Sequence, residues 1–324
     1  MSKSDPIEKA LNRLGELRQE APSAGTIQEV RQFLNHRSNL IVGKAAKVVS
    51  ELKLSELLPD LVSAFRRFMA NPQHIDKRCA AVTWLLAALY ELDYSEPDVY
   101  LQGLRHVQLE ASFGPPVDTA ATLRGISAQG LLRTRYSDAM AEVLPLLVDS
   151  EPAARIGAVR AFAVNGGNGG VLVLRLKVLT GDPEPEVLAE CFSGLLSAAP
   201  EQSLRFVAGY MDVVDDSTSE AAMWALGQSR LKSAFDCLRE KWERTVAHSS
   251  RKTLLAAIAA SRRDEAIQFL CSIVAEGNSA SSTDAVTALS SYKSSQTIQQ
   301  AVADAVRKRG NKQLQHTFER EFVV

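Results

Sequence analysis

The side chains best suited to chemistry are five histidines, four cysteines and one glycine run, and their spacing decides what they can do. His36, His74, His106, His248 and His316 are scattered and form no HExxH, so they do not read as a metal-ligand set. Cys79, Cys191, Cys237 and Cys271 lie far apart, with no CxxC pair, each inside an apolar helical stretch. That pattern reads as buried free thiols in a reducing compartment. The run NGGNGG (165–170) lacks the Lys-Ser/Thr pair that holds a phosphate, and falls between two helical stretches, so it reads as a flexible turn. No GxSxG occurs. RKRGNK (307–312) is basic enough to touch nucleic acid, but basic residues also favour a helix C-terminus, and a solvated helix end is the stronger reading. The expectation is therefore a chain with no catalytic residue, no metal and no cofactor, and not an enzyme.

The elements that carry these residues are helical. Hydrophobic residues make up 46% of the 324, while aromatics are only 6%, and Ala and Leu recur throughout. Alanine lets helix axes approach, and both residues favour helix. Strand-like alternation of Val, Ile and Thr is hard to find. The 37 Lys and Arg nearly cancel the 38 Asp and Glu, whereas duplex binders usually carry a basic excess. The start, MSKSDPIEKALNRLGELRQE, reads as a charged amphipathic helix without a signal-peptide core. No apolar stretch reaches the roughly eighteen residues a membrane span needs. The expected location is the cytoplasm.

Laid on itself, the chain repeats. DSEPAARIGAVRAFAVNG begins at Asp149 and DPEPEVLAECFSGLLSAA at Asp182, each opening with an Asp-x-x-Pro turn that suits a helix's first turn. A small residue followed by a large apolar one recurs at Gly130-Leu131, Ala161-Phe162, Gly194-Leu195, Ala225-Leu226, Ala257-Ile258 and Ala288-Leu289. Successive apolar members stand 31, 33, 31, 32 and 31 residues apart. The small residue admits a neighbouring helix, and its partner plugs the core. Second amphipathic helices lie between the markers at 138–150, 201–213, 231–245 and 264–277. Upstream, longer helices are expected near 39–53, 55–70, 74–92 and 96–110, a region in which Trp84, Tyr90, Tyr94 and Tyr100 cluster. The organisation read from this is one continuous array: divergent repeats over 1–110, regular repeats over 111–292 and polar capping helices over 293–324.

VLPLLVDSEPAARIGAVRAFA, DPEPEV and EAAMWALGQ (220–228) resemble the HEAT repeat, in particular the short bacterial form also found in phycobilisome lyases. The resemblance covers about 117–292. It implies an all-α, right-handed α-α superhelix, a HEAT-type solenoid of about eight or nine helix pairs, with the second helix of each pair lining a concave face. It also implies a structural role for Asp149 and Arg155, bonding neighbouring turns, although Leu188 stands where the next arginine would be.

Carried over, the family's groove-side positions fall on Gln129, Arg133, Arg160, Ser193, Ser197, Trp224, Gln228, Lys252 and Thr287. Trp224 is the one large aromatic among them, and an exposed tryptophan near the middle of an array is the type of residue that anchors a partner. Arg133 and Arg160 suit carboxylates. The function expected is a scaffold that binds a protein or peptide on the concave face. The alternative is a nucleic-acid-binding or repair protein of the HEAT-like DNA glycosylase type, for which Trp224, Glu190 and the arginines between 124 and 160 are the candidate residues and the balanced charge is the objection. No His-Glu pairs of the HEAT-repeat hydroxylase kind occur, and nothing marks a tetrapyrrole site of the bilin lyase kind.

Overall fold

A computed structural model describes residues 6–322. Among them the chain is all-α apart from one two-stranded hairpin, and it divides after Val173 into two compact units.

The first unit holds α1 (Pro6–Leu17), α2 (Ala24–Leu34), α3 (Asn39–Glu51), α4 (Leu58–Met69), the single turn α5 (Pro72–Ile75), α6 (Ala80–Glu91) and α7 (Pro97–Leu104). The antiparallel strands β1 (Leu109–Glu110) and β2 (Val117–Asp118) follow, with Leu109 opposite Asp118. Then come α8 (Ala121–Arg133), α9 (Ala139–Val143), α10 (Pro152–Asn165) and the start of α11 (Gly167–Thr180). Helices α1, α3, α6, α8 and α10 pack on one another in succession. The second unit continues from α11 with α12 (Pro185–Ala198), α13 (Pro200–Gly209), α14 (Asp216–Gln228), α15 (Lys232–Arg244), α16 (His248–Ala260), α17 (Asp264–Glu276), α18 (Ser279–Leu289), α19 (Gln296–Arg309) and α20 (Lys312–Phe322). Its even-numbered helices form one row, each packed on the next, and α13, α15, α17 and α19 form the row behind. Helix on like helix, repeat after repeat, is solenoid packing.

The markers behave as the spacing predicts. Leu131, Phe162, Leu195, Leu226, Ile258 and Leu289 are all at most 1% exposed. Small residues make the close approaches: a Cβ on Gly157 would stand 2.1 Å from Gly125 Cα, and one on Gly130 would stand 2.1 Å from the Tyr100 ring. The Asp-x-x-Pro turns form as read. Asp149 Oδ1 accepts from the Glu151 amide and Asp182 Oδ1 from the Glu184 amide, each at 2.9 Å, with Pro152 and Pro185 starting the helices that follow.

The Asp149–Arg155 reading changes in detail. Arg155 is buried and its Nη1 donates to the Asp149 and Ser150 carbonyls at 2.8 and 3.0 Å. The Asp149 carboxylate is held by Arg124, through Nε and Nη2 at 2.9 Å each, and Arg124 Nη1 also reaches Asp118 Oδ2 at 2.6 Å. Arg124, counted in the sequence only among the arginines of the nucleic-acid alternative, therefore joins the aspartates of two successive repeats. Where Leu188 replaces the next arginine, Lys177 Nζ lies 2.8 Å from Asp182 Oδ2. A buried carboxylate without a cation would be costly, and the lysine offsets that.

Three other expectations are corrected. The helix placed near 96–110 stops at Leu104, because Gln108 is drawn into the hairpin: its amide donates to Asp118 Oδ1 at 3.0 Å and its carbonyl accepts from the Thr119 amide at 2.9 Å. The glycine run is not a loose connector. Only Gly166 separates α10 from α11, and a Cβ on Gly170 would stand 2.3 Å from the Phe162 carbonyl, so the glycines permit a tight helix-to-helix junction. Of the four thiols, all free, Cys79 and Cys191 are buried but Cys237 and Cys271 are half-buried.

Candidate functional site

The second unit carries a groove of about 590 Å³ across the faces of α14, α16 and α18. Its floor is alanine: Ala256, Ala259 and Ala260 from α16 and Ala288 from α18. Small side chains there follow from the close stacking of the row, since a Cβ on Gly227 would stand 2.2 Å from the Ala257 carbonyl. A floor of methyl groups between helices leaves a trough whose walls are the longer side chains on either side.

Trp224 forms one wall. Its neighbours Ala222, Met223, Ala225 and Leu226 face inward and are buried, while the indole is 39% exposed. Gln228 follows one turn later, Lys252 and Thr287 are exposed on the next two helices, and all four line the groove. Asp284 also lines it, with its side chain 12% exposed and Oδ2 lying 3.6 Å from His248 Nδ1.

One end of the groove is set by the turns after the three helices. Ser229, Ser261 and Ser290 donate their hydroxyls back to the Leu226, Ile258 and Thr287 carbonyls at 2.6, 2.6 and 2.7 Å, closing each helix. Arg230 and Arg262 come directly after their serines, Lys293 follows Ser290 by three residues, and all three line that end. Tyr292, whose hydroxyl donates to the Ala259 carbonyl, is pushed above its usual pKa by burial, against the opposing pull of Arg262 and Arg230.

The residues expected on the groove side thus divide. Trp224, Gln228, Lys252 and Thr287 are brought together. Ser193 is half-buried on α12 and is not among the lining residues. Gln129, Arg133 and Arg160 belong to the first unit. There Gln129 Nε2 donates to the Gly125 carbonyl of its own helix at 3.2 Å. Arg133 lies over the Tyr90 ring, 4.0 Å from its centroid, and pairs with Asp93 at 3.0 Å. Arg160 is exposed on α10. Sequence reasoning missed Arg230, Arg262 and Lys293, which follow the helices and so fall outside the helical register; the recurrence of Ser-Arg at 229–230 and 261–262 is the signal that could have found them.

No protein family matches the chain. No curated protein matches it either. Among solved structures it is similar to the complex of CpcE and CpcF of phycocyanin lyase from Nostoc sp. PCC7120, at 14% identity and a TM-score of 0.37, over 76% of this chain and 94% of that one. That structure is of a lyase, and the expectation that the chain is not an enzyme is withdrawn: missing catalytic motifs do not exclude an activity. A likeness of that size assigns no reaction. Among the described residues no helix is long and apolar enough to cross a membrane.

Proposed function

We propose that this helical repeat protein binds a protein partner, and that the groove of the second unit, with Trp224 as its anchor, receives a segment of that partner. The reading that the repeats over 1–110, 111–292 and 293–324 serve one HEAT-type scaffold belongs to the same proposal. The observation that carries it is a large indole left 39% exposed above an alanine floor, with exposed polar side chains from three successive helices converging on it. Tryptophan at such a place supplies most binding energy per residue, because it buries a wide apolar face at little entropic cost. A preformed helical groove adds little ordering cost of its own on binding.

The test is affinity capture from native cell extract by the wild-type chain and by Trp224→Ala, compared quantitatively, with Phe113→Ala as a control at an exposed site on the hairpin tip. Truncating a hot spot costs about 2 kcal/mol or more, roughly thirtyfold in affinity, so a partner retained by wild type and control should be lost with Trp224→Ala. Equal capture by all three would refute the reading. Retention on DNA that collapses steeply as salt rises would favour the nucleic-acid alternative.

A further inference from the structure

Arg230 and Arg262 sit at an unusual backbone position. Both have positive φ, 56° and 51°, directly after the last residue that closes their helix. That position favours glycine, because a Cβ there crowds the following carbonyl. A side chain that persists in such a conformation is a pointer to function.

The first unit shows what the same position does when its charge serves the fold. Lys53 and Asp93, with φ of 52° and 58°, follow α3 and α6 in the same way. There Lys53 Nζ lies 3.7 Å from Glu91 and Asp93 lies 3.0 Å from Arg133. In the second unit the corresponding cations have no such partner. Among the described residues, the side chains of Arg230, Arg262, Lys293 and Lys252 make no hydrogen bond or ion pair, yet all four line one groove. Four cations outside any ion pair, against two groove carboxylates, Asp284 and Glu321, of which Glu321 is paired with Arg320, form a local basic excess in a chain whose net charge is −1.

Resting on the reading of the groove as a partner site, we infer that this end is a carboxylate-binding ladder for an extended acidic peptide segment, with one carboxylate of the segment meeting each successive repeat. Packed helices are spaced about 8–10 Å apart. A polyproline-II chain advances about 3.1 Å per residue with three residues per turn, so side chains three apart recur at roughly 9 Å. An acidic residue at every third position therefore keeps step with Arg230, Arg262 and Lys293. Guanidinium groups suit carboxylates, which they can hold through paired N–H bonds. Asp284 within the same groove favours a peptide over a polynucleotide. A peptide can offer it an N–H donor between its acidic residues, whereas a nucleic acid brings a phosphate with every nucleotide.

The probe is a fluorescein-labelled twelve-residue peptide of Pro and Ala with Glu at every third position. Its comparators hold the same residues with the glutamates contiguous, or Gln in place of Glu, and a twelve-nucleotide oligothymidine tests the nucleic-acid source. The proteins are wild type, Trp224→Ala and the double variant Arg230→Gly, Arg262→Gly. Glycine is relaxed at positive φ, so the double variant should melt no lower than wild type. It should nonetheless bind the periodic peptide at least tenfold more weakly, and the contiguous and Gln peptides should bind wild type at least tenfold more weakly than the periodic one. Undiminished binding by the double variant, no binding by wild type, or tighter binding of oligothymidine would overturn the ladder. Partner capture separates the two readings. If Trp224→Ala loses the partner while the double glycine variant keeps it, the groove stands and the ladder falls. If both variants keep it, both readings fall.

Discussion

Arg124→Met removes the cation that joins two repeats and leaves its carboxylate partners in place. The Arg124 side chain is 4% exposed, that of Asp118 7% and that of Asp149 14%. The substitution deletes a bidentate pair to Asp149, a bond to Asp118 and a bond from Nη1 to the His106 carbonyl at 3.0 Å. Taking one partner from a buried ionic group costs about 3–5 kcal/mol, because the remaining charges stay desolvated. At about 2–4 °C per kcal/mol for a unit of this size, the melting temperature should fall by roughly 6–20 °C. The sign with pH is also fixed. Burial alone would raise the Asp118 carboxyl, but the amides of Ala120 and Gln108 together with Arg124 hold it below its usual range. Its contribution to wild-type stability is therefore present above the ordinary carboxylate pKa of about 3.9 and is lost as pH falls through the lower folded value. In the variant the Ala120 and Gln108 amides remain but the pull of Arg124 is gone, so the deficit should be largest near neutral pH and shrink only as pH falls below the ordinary carboxylate value, toward about pH 3. Urea denaturation at both pH values measures this. A loss under about 1 kcal/mol, or one that does not change with pH, would refute the idea that Arg124 neutralises both aspartates.

Other perturbations read other parts of the fold. Gly157→Ala should destabilise by about 1–3 kcal/mol, despite the better helix propensity of alanine, because its Cβ would stand 2.1 Å from Gly125 Cα on the packed helix; unchanged denaturation would show that α8 and α10 can separate freely. Trp224→Ala should leave the melting temperature within a few degrees while partner binding falls; a large loss of stability would make the indole part of the core. Burial pushes the Cys79 and Cys191 thiols up to about 12, so in the native protein both should resist iodoacetamide near pH 8 and react only on unfolding. Fast native labelling of either, read by peptide mass spectrometry, would contradict their burial.

What could be read from the sequence follows from where periodicity and physics coincide. Leu131 through Leu289 were legible because burying a plug between helix pairs demands the same residue class at the same place in every repeat. Asp149 and Asp182 were legible because an Asx turn before a proline needs those two residues. Arg124 was not, since its partners Asp118 and Asp149 lie six and 25 positions away, and sequence spacing within one helix says nothing of them. The hairpin after α7 was hidden because it is held by the buried side chain of Gln108 and by Asp118, with only two residues in each strand and no run of β-branched residues. Part of the groove was visible. Trp224, Gln228, Lys252 and Thr287 share a helical register, whereas Arg230 and Arg262 occupy a conformation usually given to glycine and carry no periodic apolar signature.

Site-directed photocrosslinking tests the partner groove most directly. Trp224→benzoylphenylalanine and Ala256→benzoylphenylalanine place the crosslinker in the groove, and Val246→benzoylphenylalanine places it on a loop residue that is 91% exposed and does not line the groove. Irradiated in native cells, both groove positions should yield the same covalent protein adduct and position 246 should not. Adducts at position 246 alone, or different products from 224 and 256, would contradict the assignment of this groove as the place where the partner sits.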